Sequence, residues 1–296
     1  MSYVYLIIAM LAGAAKGYCG KRTSGRINGW HNAISANLLR MGLCILIGFG
    51  VVAFSGELAG LIPSRKALGI YALSGISTSV FVVTWLVAVR TSAYVLMDVF
   101  LTLGVVVPMI LGSLCYGEAI RWNHWLGLAV LLGATLILGS FNNGIKQKLT
   151  GKAFLVMLLS GVANGFTNFS QKMLKYEVPG GNAAVFNFYT YVFSAASLAV
   201  VLLLLRTSAE EKNQPSPIPK VMGYIVVMAI ALFVNSYFMT EAAAGIPSSV
   251  LYPMQKGISL ILSGLMATFF FKEKMTLKAV CGLGLTFVGL LIINML

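Results

Sequence analysis

Ten runs of roughly twenty predominantly apolar residues follow one another along this chain, and about twenty is the length at which an α-helix crosses the hydrocarbon core of a bilayer. The runs are 3–20, 29–54, 67–89, 92–115, 122–141, 152–175, 182–205, 220–243, 247–270 and 276–295. Only 10% of the 296 residues are charged, against about 25% in soluble domains. No polar segment between the runs is long enough to be a separate domain. Inside lipid every backbone polar group must find a partner within the protein, which leaves helices and closed barrels. Barrel strands alternate apolar and polar residues over about ten positions, and these runs do not alternate. The chain is therefore read as an all-α polytopic membrane protein of ten transmembrane helices. The stretch from Thr207 to Pro219, polar and proline-rich, is its longest connection.

This pattern excludes several function classes. A net charge of +13 in a chain without a soluble face reads as basic loops held at the cytoplasmic surface, not as nucleic-acid binding. Cys19, Cys44, Cys115 and Cys281 are scattered, and His31 and His124 are the two histidines. Neither a disulfide framework nor a metal site is expected from such spacing, and no cofactor is. No GxxxxGK[ST] stretch occurs, so direct ATP coupling is not expected. With no nucleophile–base or metal constellation, no enzyme is expected. The first run has no basic stretch ahead of it and reads as a retained helix rather than a signal peptide.

The two halves repeat, with 1–145 as the first unit and 146–296 as the second. Leu11-Ala-Gly-Ala-Ala-Lys-Gly17 reads against Leu159-Ser-Gly-Val-Ala-Asn-Gly165 at an offset of 148, and Asn37 falls on Asn187 at 150. Lys66 and Gly69 fall on Lys220 and Gly223 at 154; Val95-Leu96, Glu118 and Gly127 fall on Val250-Leu251, Glu273 and Gly282 at 155. The offset grows in one direction, as loop insertions would make it. A unit of five spans is odd, so the second copy enters the membrane from the opposite side. Inverted repeats of this kind place a binding site near the midplane, between the copies.

Two five-helix repeats, with an acidic residue before the last helix of each (Tyr116-Gly117-Glu118 and Phe271-Lys272-Glu273), resemble the drug/metabolite transporter superfamily in its EamA-like, ten-helix branch. The glycine-spaced helices that follow, Trp125-Leu-Gly-Leu and Val280-Cys-Gly-Leu-Gly, fit that resemblance. It covers the whole chain and its motifs are degenerate. It implies movement of a small organic solute by alternating access, in a prokaryotic inner or plasma membrane. It also implies a central cavity lined by the third and fourth helices of each half, and fifth helices (5 and 10) at the periphery, where a homodimer would form. The expected partners are thus a small solute and membrane lipid.

Orientation follows from the loops. Thirteen basic residues follow the odd-numbered helices and five lie at the other end, where both termini are. The positive-inside rule then puts the termini outside.

Three basic residues remain deep inside spans: Lys16, Arg40 and Lys256. A charge in hydrocarbon costs several kcal/mol, about 3 or more, unless it is paired or wetted, so such residues are functional candidates. Asp98 is the acid deepest in a span. By offset it matches Pro253, one turn from Lys256, so an Asp98–Lys256 pair between helices four and nine is expected to gate or bind. The alternative is a static pair that locks two helices. Asn37 and Asn187 are expected to project into one central space, with substrate contact and helix–helix glue as equal readings. Lys16, between Ala15 and Gly17, lines the space or snorkels to a headgroup. Tyr252, one turn before Lys256, is the best aromatic lining candidate, followed by Tyr94, Trp85 and Tyr237, any of which can hold an organic solute. Tyr3, Trp122 and Trp125 read as interfacial belt. Glu241 and Arg90 end helices eight and three. Glu118 and Glu273 read as caps of the helices that follow them. Pro108, Pro247 and Pro253 are expected to bend helices four and nine.

Three buried cations against one buried acid favour an anionic or zwitterionic metabolite as the transported solute. Proton-coupled efflux of cationic or aromatic drugs, with Asp98 or Glu241 as the proton carrier, is the alternative. A lipid-carrier flippase is the alternative from another class.

Overall fold

The computed structural model describes residues 1–24, 26–27, 29–90, 97–140, 151–205, 217–272 and 276–295, except the side chains of 24, 88–90 and 139–140. Among the described residues ten long helices follow one another. They are α1 (Ser2–Ser24), α2 (Trp30–Phe54), α3 (Arg65–Arg90), α4 (Met97–Tyr116), α5 (Trp122–Ser140), α6 (Gly151–Glu177), α7 (Ala183–Leu204), α8 (Ile218–Ala242), α9 (Ser248–Phe269) and α10 (Leu277–Ile293). A short 3-10 helix, Leu58–Leu61, lies between α2 and α3. Seven of the ten are long and apolar enough to cross a membrane by their own composition. Helices α5 and α10 are apolar but shorter. Helix α9 is diluted by Pro253, Gln255 and Lys256, so it depends on the helices around it.

Side-chain contacts give the direction of each helix. Gly13 faces Asn235 and Gly20 faces Met228, so α1 and α8 are antiparallel. Lys66 pairs with Glu177 and Thr78 meets Thr167, so α3 and α6 are antiparallel too. Gly127 abuts Gly289 and Gly282 abuts Leu138, which makes α5 and α10 a third antiparallel pair. Parallel pairs are α3–α7 (Tyr71 on Phe186, Ser79 on Ser194) and α2–α8 (Cys44 on Ala229, Gly48 on Phe233). Helices α4–α6 and α1–α9 are parallel as well (Gly104 on Gly161 and Tyr116 on Tyr176; Gly17 on Met266 and Tyr18 on Phe270).

These pairings map onto themselves when helix n is exchanged with helix n+5: α1–α8 becomes α6–α3, α2–α8 becomes α7–α3, and α1–α9 becomes α6–α4. Equivalent helices run in opposite directions, as an inverted repeat requires. Both termini lie at one end of the bundle, with the turns at 55–64, 117–121, 178–182 and 243–247. The other helix ends lie at the opposite end.

Two local features set the site. Proline 108 has no N–H for the Gly104 carbonyl, and α4 bends at Val105, whose amide reaches Thr102 O at 3.2 Å instead. The bent helix lies directly on α6 through Gly104, Gly161 and Gly165. At its end Gly117 takes a left-handed conformation (φ 66), and the Glu118 amide returns to the Gly112 carbonyl at 3.3 Å. With the Gly117 amide on the Ser113 carbonyl at 3.0 Å, this is an αL helix end, and it points Glu118 back into the bundle.

A Cβ at position 161 would sit on the Phe100 carbonyl oxygen, whereas one at position 284 would meet nothing. Overpacking of this kind costs about 1–3 kcal/mol. Gly161→Ala is therefore expected to lower the thermal midpoint of the detergent-solubilised protein, and Gly284→Ala to leave it unchanged or raise it.

Candidate functional site

Two cations stand together without a carboxylate. Lys16 lies about two turns inside the end of α1, and Arg40 about three turns inside the start of α2. Both distances are counted from the same end of the bundle, so the two residues share a depth. They are close enough for their like charges to repel. Among the described residues neither is paired with an acid, and the Arg40 Nε is buried with no hydrogen-bond partner.

A polar seam continues from Arg40 into α7 and α8. Tyr191 and Cys44 are in electrostatic range of Arg40. The Tyr191 hydroxyl donates to Leu232 O at 3.3 Å and meets Ser236. Ser236 Oγ donates to Asn187 Oδ1 at 2.5 Å. The Asn187 Nδ2 is a second buried donor without a partner. Buried donors of this kind are rarely left unmatched in a native fold, so the seam offers unused N–H groups beside unused positive charge.

Lys256 is not part of this group. Its Nζ donates to Asp98 Oδ1 at 2.7 Å, joining α9 to α4, with the lysine side chain 15% and the aspartate 57% exposed. Among the described residues no hydrogen bond or ion pair joins Lys256 or Asp98 to Lys16 or Arg40.

The termini end is closed by a third group. Lys172, 2% exposed, pairs with Glu118 Oε1 at 2.8 Å and donates to the carbonyls of Ala243 (2.8 Å) and Ile246 (2.6 Å). Glu118 Oε2 accepts from the Ser248 amide at 2.7 Å, and Tyr176 donates to Oε1 at 3.3 Å while stacking on Tyr116. Lys175 pairs with Glu241 at 2.8 Å, and Lys66 pairs with Glu177. The last turns of α6 are thus tied to α3, to the α4–α5 turn and to the α8–α9 turn. Beneath them Leu6, Met109, Met239 and Leu251 form an apolar plug.

Several sequence-based expectations change here. Tyr252 does not line an open space: it is fully buried, and its hydroxyl donates to Asn168 O at 2.5 Å, bracing α9 against α6. Asn37 and Asn187 are not brought together. Helices α2 and α7 are antiparallel, and the residue facing this part of α7 is Gly48, opposite Phe188, about three turns from Asn37. Asn37 instead donates to Ala33 O of its own helix at 2.8 Å. Glu118 serves the first turn of α9, not of α5, because the end of α4 meets the start of antiparallel α9. At α5 the Arg121 amide uses His124 Nδ1 at 3.1 Å. Lys172, not singled out from sequence, is buried; its place inside the run 152–175 was the available signal.

Tyr237 is half-buried and stacks on Phe233 (6.3 Å), and Trp85 packs against Met97, Phe100 and Met157. Glu241 sits at the termini end, held by Lys175. Tyr94, Glu273 and the Arg90 side chain lie outside the described residues. No group of three His, Cys, Asp or Glu side chains that could hold a metal occurs among the described residues.

Comparison with known proteins agrees with this architecture. The model of the EamA-like transporter family matches residues 151–295. A solved structure, described only as a crystal structure of a protein, aligns with 99% of this chain and 96% of its own length. Its TM-score is 0.79 at 12% identity, a likeness of fold. No curated protein matches the sequence.

Proposed function

For a chain that belongs, through residues 151–295, to the EamA-like transporter family, and so to the drug/metabolite transporter superfamily, we propose secondary transport of a small organic anion seated on Lys16 and Arg40. The observation that carries this reading is the charge inventory of the helices. Asp98, Glu118, Glu177 and Glu241 each hold a lysine, while Lys16 and Arg40 hold no acid among the described residues. Two uncompensated cations inside a membrane are unfavourable, and a bound carboxylate or phosphate relieves that cost. A guanidinium presents parallel N–H groups that match either anion. A zwitterion would also need a free carboxylate for its ammonium group, and a cationic drug would have to displace Lys256 from Asp98 or Lys175 from Glu241. The anion is therefore favoured over both.

Alternating access assigns roles to the other two groups. The lysine-linked turns and the apolar plug close the termini end, so the solute reaches Lys16 and Arg40 from the opposite end, past Asp98. The charge count makes that opposite end cytoplasmic. The repeat boundary near residue 145 and a homodimer through the outer faces of α5 and α10 belong to the same reading.

Purified protein in liposomes tests it. Saturable flux is expected for at least one carboxylate or phosphorylated metabolite and not for quaternary amines. Flux of amines alone, or of neither class, would overturn the proposal. Asp98→Asn breaks the α4–α9 pair without touching Lys16 or Arg40. It is expected to lower the maximal rate several-fold while KM for the anion changes by less than about threefold, which is under about 0.7 kcal/mol.

A further inference from the structure

We propose that the groove between α1, α8 and α9 seats one anionic phospholipid, its chain in the groove and its phosphate at Lys220 and Arg22. The groove encloses about 790 Å³ and opens on the outer face of the bundle, beside the exposed apolar residues Ile7 and Leu11. Its lining runs from Leu11 to Cys19 on α1 and from Lys220 to Val227 on α8, with Leu262 to Phe270 as the third wall. At about 1.5 Å per residue each wall spans roughly 10 Å. That is most of one leaflet, whose hydrocarbon is about 15 Å deep.

The groove exists because the two-fold pattern is broken at this point. On the equivalent face α4 lies directly on α6, with Gly104 against Gly161 and Gly165. Gly13 and Gly17 of α1 match that glycine pair in the repeat. Here Gly13 is covered by Asn235 and Gly17 by the Met266 methyl, and Ser259 stands where α4 has Gly104. Helix α9 is held off α1 by a side chain, and a trough remains. A trough in hydrocarbon is filled by a lipid chain, since an empty one forfeits dispersion contacts on every wall.

The charge at its mouth selects the headgroup. Lys220 is the one charged residue in the lining, and no described acid pairs with it. Arg22 is held at the rim: its Nε donates to Tyr18 OH at 3.2 Å, and its guanidinium lies over the rings of Tyr18 (5.4 Å) and Phe271 (5.1 Å). Lys21 lies 4.2 Å over Phe271. The cations are thus clustered at the headgroup end of an otherwise apolar, chain-length trough. This end carries thirteen of the loop cations, and a cytoplasmic leaflet is where anionic lipid gathers.

Native mass spectrometry of the full chain, with phosphatidylglycerol or phosphatidylcholine of matched chains added to a neutral detergent, tests the proposal. One phosphatidylglycerol is expected to be retained in preference to phosphatidylcholine by about thirtyfold, the scale of two cations near a net-anionic headgroup. The double variant R22Q/K220Q is expected to lose that preference. A Cβ at position 223, in the groove lining, would meet nothing within 4 Å, so Gly223→Leu extends a side chain into the trough and should release lipid of both classes. Equal retention of the two lipids by the natural chain, or undiminished phosphatidylglycerol on R22Q/K220Q, would overturn the assignment. Displacement of the lipid by excess inorganic phosphate would also overturn it, by giving the cations to a soluble anion.

Discussion

Arg40→Gln is expected to reduce anion kcat/KM by two orders of magnitude or more. Among the described residues the side chain is the one cation of the bundle interior whose planar donors match a carboxylate or phosphate, and its Nε has no hydrogen-bond partner. Charge-assisted hydrogen bonds to a buried anion are each worth about 1.5–3 kcal/mol. Glutamine removes the charge as well as the fork, so two such bonds and the field are lost together. Lys16→Met is expected to weaken transport less, by about tenfold, because a point charge is lost while the fork remains. Arg40→Lys separates charge from geometry: it should restore part of the affinity and less of the rate. Initial rates in proteoliposomes over a range of anion concentrations read all three. An Arg40→Gln protein that transports the anion with unchanged KM would remove Arg40 from the site. Thermal unfolding supplies a further readout. If the two cations repel in the empty protein, Arg40→Gln should be no less stable than the natural chain.

Lys172→Met is expected to be among the most destabilising single substitutions in the chain. It strips Glu118 of its cation and the Ala243 and Ile246 carbonyls of their donor, all at the closed termini end. Breaking a buried ion pair from one side costs about 3–5 kcal/mol, because the remaining charge stays buried alone. Glu118→Gln should be similarly harmful, leaving the ammonium with carbonyls only and weakening the contact that holds the first turn of α9. The double variant Glu118→Gln/Lys172→Met removes both charges and is expected to recover most of the loss, since a buried pair is often worth little more than a neutral replacement. Thermal midpoints of the four proteins in one detergent complete the cycle. Additive losses in the double variant would mean the two side chains act through separate contacts and not as a pair.

Much of the architecture was legible in the residues. Ten apolar runs, the alternation of direction and the growing offset between halves follow from composition and from short motifs. The Asp98–Lys256 contact was legible for the same reason: α4 and α9 are equivalents, and a lysine one turn from the counterpart of an aspartate has few other partners in lipid. Lys16 and Arg40 were visible as buried charges. Their grouping, and the exclusion of Lys256 from it, was not. Nor was the burial of Lys172, a residue within a turn of a span boundary and so open to reading as a surface charge.

Helix formation and insertion into a bilayer are decided over about twenty consecutive residues, so the sequence by itself determined the number of helices, their order and their inverted repetition. Side-chain partnership is decided by which helix faces meet and how closely they approach. Those distances are set by single residues far apart in the chain: Gly104 and Gly161 bring α4 onto α6, while Met266 keeps α9 off α1. Tyr252 was therefore buried and Asn37 separated from Asn187, whatever their spacing implied. The tertiary structure alone decided that Lys172 would neutralise Glu118 and that Lys16 and Arg40 would come within range of each other's charge with no acid paired to either among the described residues.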